Sequence, residues 1–288
     1  MPTPDIDNNT PFFYQGLLDS AIYLENKGYS ICLIDEATDL NDLDNAKHHH
    51  LNEPVYIAEV LGDGNCATSA MMLAFLRQGI TQGKQSFVAD KLCQIVERNE
   101  DQVKKEYKIA CPSDFLEFIK QYRALTPEQY NAFFERFFLK NDPIPKFLSA
   151  CARQDMCRFF TSDTFVASHA YNELVSKFDT KELFDKNLQE LFYLGLHIDA
   201  EFLRCYLNNY HQISINVYQI YEDKIKDLDS LCSHNQEYNL LQAQQSENLH
   251  LNLIFFKRHF DTLIFKKDID QYLEQNKDKW LQKQPDSL

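Results

Sequence analysis

VYIAEVLGDGNCATSAMMLAFLRQGI, residues 55–80, changes character twice within one short run. Residues 55–60, VYIAEV, are apolar, β-branched and aromatic, and read as a strand. LGDGNC follows, with two glycines close together, and reads as a turn. After Cys66, ATSAMMLAFLRQGI is built from small residues and good helix formers, with Gly79 expected as the C-cap. The order is strand, glycine turn, cysteine, helix. That order has a chemical consequence. A thiol is a weak nucleophile until it ionises, and its ordinary pKa is ~8.5. At a helix start, unpaired N–H groups and the helix dipole favour the thiolate. The turn Gly62-Asp63-Gly64-Asn65 is suitable material for an oxyanion hole. Its glycines let successive amides point into one concavity. Such donors stabilise the tetrahedral intermediate of acyl transfer by on the order of 3 kcal/mol each.

A nucleophile of this kind needs a base. LHLNLIFF, residues 249–256, reads as a strand and leads through Lys257-Arg258 to HFDTLIF, which starts at His259. If the chain stays extended there, the period of two puts His259 and Asp261 on one face and turns Phe260 into the core. Asp261 then fixes the tautomer of His259 that faces Cys66. A turn starting at Lys257-Arg258 is the alternative. Taken separately, a cysteine before a helix is usually a buried small hydrophobe, and His-x-Asp in a strand is an ordinary surface pair. The two contexts in one chain favour catalysis.

Between these segments, residues 86–193 read as helical almost throughout. Apolar residues at Phe87, Val88, Leu92, Ile95, Val96 and Val103 follow helical spacing. Further helices are expected from Ser113, from Thr126-Pro127-Glu128, and over 146–160, 162–176 and 181–194, with Pro143 and Pro145 breaking the pattern. Asp199 is expected to cap AEFLRCYLNNY, and ISINVY, residues 213–218, alternates as a half-buried strand. Near the N-terminus a helix is expected over 15–26 and a short strand over 30–35. His48, His49 and His50 lie in an acidic loop, and adjacent histidines point in different directions, so no metal site is expected there. A C-terminal helix is expected from Asp268.

The 288 residues carry 29 Lys and Arg against 43 Asp and Glu, a net charge of −14. That argues against nucleic acid and anionic membranes as partners, since phosphate attraction needs clustered cations. A basic protein face is compatible with it. MPTPDIDNNT has neither a basic nor an apolar run, so no signal peptide is expected, and no stretch is long and apolar enough to predict a membrane span. Eight cysteines form no CxxC pair, and most are expected to be reduced and buried. No cofactor or metal is implied.

Three segments in order carry a family resemblance. GDGNCATSAMMLAFL resembles the Cys-loop and following helix of the OTU (ovarian-tumour) cysteine proteases. HIDAEFLRCYLNNYHQISINVYQI resembles the family's middle helix and strand. LNLIFFKRHFDTLIF resembles its terminal strand, with its His-aromatic-Asp motif. The chain departs from the pattern at Ala67 and Thr68, where the family often has a bulky residue and an aromatic, and at His197, where an aromatic is usual.

The resemblance implies an α+β fold: an OTU-like, papain-type core with a small central β-sheet flanked by helices, plus a large helical insertion lobe. Residues 1–54 are then an N-terminal extension. Residues 55–85 and 195–270 form the core, 86–194 the lobe, and 271–288 a tail. Cys66 would be the nucleophile, His259 the general base and Asp261 its orienter, with Asp63, Gly64, Asn65 and the Cys66 amide around the oxyanion. The substrate would be the isopeptide bond after the C-terminal glycine of ubiquitin, and the partners ubiquitin or its chains. A monomer is expected. The long helical region resembles that of bacterial effector members, which implies a cytoplasmic site of action, in a host cell for an effector. Aromatics of the lobe such as Phe133, Phe134, Phe137 and Phe138 are expected either to contact ubiquitin or to form the lobe's own core. A silent ubiquitin-binding module, a protease for a ubiquitin-like protein and a helical scaffold are the competing readings.

Overall fold

The computed structural model describes residues 21–24, 29–33, 55–58, 60, 65–126, 129, 133, 136, 143–196, 198–222, 249–256 and 259–275. Among the described residues six strands form one sheet: β1 (Ala21–Leu24), β2 (Tyr29–Leu33), β3 (Val55–Ala58), β4 (Ser214–Glu222), β5 (His250–Phe256) and β6 (His259–Phe265). Their order is β1-β3-β6-β5-β4-β2. Only β4 and β5 pair in parallel, from Ser214↔His250 to Gln219↔Phe255. The other pairs are antiparallel.

Within the span 15–26, expected as a helix, the described residues 21–24 form a strand instead. Ala21–Leu24 is a strand in register with Val55–Ala58. Its four apolar residues fit either period, and a waiting sheet edge decides between them. Tyr29–Leu33 pairs with the far end of β4. The segment before residue 55 therefore supplies both edges of the sheet.

Nine α-helices complete the described residues: α1 (Cys66–Thr81), α2 (Gln85–Tyr107), α3 (Phe115–Arg123), α4 (Pro143–Phe160), α5 (Asp163–Val166), α6 (His169–Ser176), α7 (Lys181–Glu190), α8 (Ala200–Cys205) and α9 (Lys266–Gln275). The fold is thus mixed α+β. Helix α1 lies on β5 and β6, and α2 and α4 cover its other side. Buried side chains of the sheet, of α1 and of the helical region belong to one apolar cluster. Phe133 belongs to it, stacked 5.3 Å from Phe118. This one of the four named aromatics is core. Phe134, Phe137 and Phe138 lie outside the described residues, as do His48, His49, His50 and His197.

Local chemistry sets many of the ends. Ser162, Ser168, Thr180 and Asp199 each accept an N–H from the first turn of the helix they precede. The Ser168 cap splits the helix expected over 162–176 into α5 and α6. Pro143 and Pro145 do not break a helix. They stand in the first turn of α4, where no N–H is needed. Gly79 does not end α1, which runs two residues further. A Cβ at Gly79 would stand 2.6 Å from Val88 Cγ2 and 2.7 Å from Tyr122 Oη, so the glycine admits α2 and α3 to close approach.

After α8 the chain continues as a π-helical turn, Tyr206–His211. It brings Tyr206 and His211 to Asp155 of α4. Asp155 is fully buried and accepts from Tyr206 Oη (2.8 Å), Asn99 Nδ2 (2.7 Å) and Arg98 (3.2 Å). His211 Nε2 lies 3.4 Å away, in reach of the charge but not aligned for a hydrogen bond. Burial alone would push the Asp155 carboxyl up. The polar groups of His211, Asn99 and Tyr206, with the Arg98 charge, outweigh it and hold the carboxyl below its ordinary value.

Candidate active site

Cys66 is the first residue of α1 and is 4 % exposed. No acidic side chain stands in the first turn of α1. Cys66 takes part in no disulfide. Other buried cysteines contrast with what a nucleophile needs. Burial pushes Cys157 and Cys205 each up to about 12, and Cys151 higher still. Those thiols stay protonated and serve as packing.

The start of α1 is tied down through Asn65, Thr68 and Ser69. Asn65 C=O accepts from Ser69 N–H (2.9 Å) and from Thr68 Oγ1 (3.1 Å). Thr68 Oγ1 lies 2.7 Å from Ser149 Oγ, and Ser69 Oγ donates to the same Ser149 (3.2 Å). Asn65 Oδ1 accepts from the Gly195 N–H (3.0 Å). Gly195 belongs to the turn after α7 and has φ +85°, which favours glycine. Phe192, Tyr193 and Leu196 of that same turn are exposed apolar residues, at 42, 62 and 42 % exposure. Asp63 and Gly64 lie outside the described residues.

Three contacts fix how α1 lies along the sheet. Thr262 Oγ1 of β6 donates to the Ala70 carbonyl (3.0 Å). Gln78 accepts from Asn252 N–H (2.8 Å) and donates to the carbonyls of Asn252 (2.9 Å) and Leu263 (3.0 Å). Gln82 exchanges two bonds with the backbone of His250 (2.6 and 3.0 Å). The C-terminal end of α1 thus lies at the start of β5, and Ala70 lies beside Thr262, which pairs with Leu253 in the middle of β5. The end of β5 is also the start of β6, because Phe256 pairs with His259. From the Thr262–Ala70 contact, Cys66 is one helical turn back, ~6 Å. His259 is three strand residues back, ~10 Å.

His259 and Asp261 occupy alternate positions of β6, on either side of Phe260. Phe260 is buried in the core, and by the period of two it shares a face of β6 with Thr262. The side chains of His259 and Asp261 lie outside the described residues. Lys257-Arg258 lies outside them too.

Sequence reading did not single out Ser149, Arg153, Thr262 or Gln78. Their one signal is position: each is a polar residue within an apolar run, such as FLSACAR or AFLRQGI. Among the described residues no group of His, Cys, Asp and Glu side chains could hold a metal ion. No described helix is long and apolar enough to cross a membrane. No family model and no curated protein matches the chain.

Proposed function

We propose that this chain is a thiol-dependent hydrolase of the isopeptide bond after the C-terminal glycine of ubiquitin, a deubiquitinase with an OTU-like core. The observation that carries the reading is the Thr262–Ala70 bond, which joins the His259 strand to the Cys66 helix three and four residues from the two groups. In the reaction, His259 takes the Cys66 proton and the thiolate attacks the glycine carbonyl. Amides of the 63–66 turn receive the oxyanion. The intermediate collapses to a thioester as the imidazolium protonates the leaving lysine amine. Water, deprotonated by His259, then hydrolyses the thioester and restores the thiol. Asp261 orients the imidazole throughout. The chain acts as a monomer in the cytoplasm, that of a host cell if it is a bacterial effector, and its helical region contributes to holding ubiquitin.

The test is a ubiquitin probe with an electrophilic C-terminus, applied to the wild-type protein and to Cys66→Ala. A covalent adduct on the wild type and none on the variant is the expected result. Full cleavage of ubiquitin chains by Cys66→Ala ends the proposal. The 4 % exposure of Cys66 favours one second reading, a ubiquitin-binding module without turnover. That reading requires ubiquitin binding with no adduct. Probes carrying ubiquitin-like proteins separate the related protease reading.

A further inference from the structure

Helix α4 places two polar side chains one turn apart, Ser149 and Arg153, and both lead to the start of the Cys66 helix. The Ser149 path is direct, through Thr68 and Ser69. The Arg153 path has one more step. Arg153 is fully buried. Its guanidinium donates to the carbonyl of Glu190 (3.2 Å), the last residue of α7, and to those of Tyr193 and Leu196 (2.5 Å to Leu196). A cation at a helix C-terminus meets the negative end of the dipole. A planar fork can hold several carbonyls at once, which a single ammonium cannot. The 191–196 turn is thereby fixed from below. Its Gly195 N–H then reaches across to Asn65 Oδ1 at 3.0 Å.

Asn65 is the residue before Cys66, and its own carbonyl accepts the first backbone bond of α1. Any rotation of the Asn65 peptide therefore turns the first amides of the helix relative to the thiol. We propose that Arg153 is a positioning residue for Cys66: by fixing the 191–196 turn it clamps Asn65 through Gly195, and so holds the thiol against the first amides of its helix. The inference rests on Cys66 being the reactive thiol of the proposed enzyme. Arg153 touches no reacting atom. It acts through a turn, an asparagine side chain and a helix start. Exposed Phe192 and Tyr193 ride on the clamped turn, so it fixes them as well.

The experiment measures alkylation of Cys66 by iodoacetamide as a function of pH, followed by peptide mass spectrometry on the full chain. Wild type, Arg153→Lys and Asn65→Ala are compared. Cys151 and Cys157 flank Arg153 on the same helix and are at most 1 % exposed, so their alkylation reports unfolding within the same samples. The pH midpoint is the decisive readout. Looser packing alone changes the rate of access, whereas losing organised amides changes the ionisation of the thiol itself. The expected result is an upward shift of the Cys66 midpoint by roughly 0.5–1 pH unit in both variants, with Cys151 and Cys157 still protected. At neutral pH that is a roughly three- to tenfold loss of thiolate.

An unchanged midpoint in a folded Arg153→Lys overturns the proposal. If Arg153→Lys exposes Cys151 and Cys157, Asn65→Ala decides, and an unchanged midpoint there overturns it. Failure of the wild type to react with the ubiquitin probe, beside a shifted midpoint, would remove the substrate assignment and leave the clamp standing.

Discussion

Thr262 of the terminal strand donates its hydroxyl to the Ala70 carbonyl of the Cys66 helix across 3.0 Å, with no exposure to solvent. This bond sets the register between the two segments from which the proposed nucleophile and base come. Replacing Thr262 by Val keeps the shape and removes the donor. The expected loss is about 1 kcal/mol, read as a lower urea midpoint with an unchanged slope. Because the same bond holds the two segments in step, the ubiquitin-probe reaction should slow in Thr262→Val by more than the unfolded fraction explains.

Gln78 is the stronger tie. Its amide meets the backbone N–H and carbonyl of Asn252 and the carbonyl of Leu263, just beyond Leu253↔Thr262, where the β5–β6 ladder ends. A side chain here supplies bonds that a strand would otherwise exchange. Gln78→Leu leaves a buried N–H without this acceptor and two carbonyls without this donor, and should cost roughly 2–4 kcal/mol. Gln82→Leu, one turn later and only half-buried, should cost about 1 kcal/mol. Urea unfolding of the two variants checks the order. Equal losses would show that the Gln78 bonds carry no special weight.

Gly79→Ala sets two effects against each other. Helix propensity favours alanine by about 1 kcal/mol. The added methyl meets Val88 Cγ2 at 2.6 Å and Tyr122 Oη at 2.7 Å, and that hydroxyl is bonded to the Leu76 carbonyl (2.8 Å). Overpacking of this kind costs typically 1–3 kcal/mol, so the clash wins and the substitution is destabilising. Val88→Ala relieves one of the two contacts. The double variant should therefore be less destabilised than the sum of the singles, measured as a double-mutant cycle.

The strand over 55–58 and the helix from Cys66 are legible because each is written in contiguous residues, β-branched and aromatic in the one and helix formers in the other. Asp199 is legible as a cap for the same reason. What is not legible depends on partners far away in the chain. Ala21–Leu24 becomes a strand only because Val55–Ala58 offers an edge. Gly79 looks like a helix end and is instead a point of close approach to Val88 and Tyr122. Pro143 looks like a break and stands where a first turn accepts it. Arg153 looks like any exposed arginine in SACARQDM, yet it is buried beneath the carbonyls of a turn some forty residues on. In the π-helical turn, Tyr206 and His211 face Asp155, and nothing in YLNNYH announces that pairing.

Acid should destabilise the protein before its carboxylates titrate. Burial lowers the pKa of His211 below its ordinary 6.5, against the opposing effect of Asp155. Burial does the same to His250, against its contact with Asn252. Between each folded value and 6.5, the unfolded chain binds more protons than the folded one. Stability from these groups is therefore complete above pH 6.5 and declines as pH falls below it, by up to about 1.4 kcal/mol per pH unit for each imidazole. Asp155 acts lower on the scale. Its carboxyl is held below its ordinary 3.8, so its contribution is present above that value and is lost as pH falls through the range beneath. Melting temperature measured from pH 7.5 to 5 should be level at first and then fall, well before pH 4. His211→Gln and His250→Gln should each flatten part of that fall, whatever they cost at pH 7.5. A melting temperature that stays level or rises between pH 6.5 and 5 would mean that the folded protein binds protons at these imidazoles at least as readily as the unfolded chain.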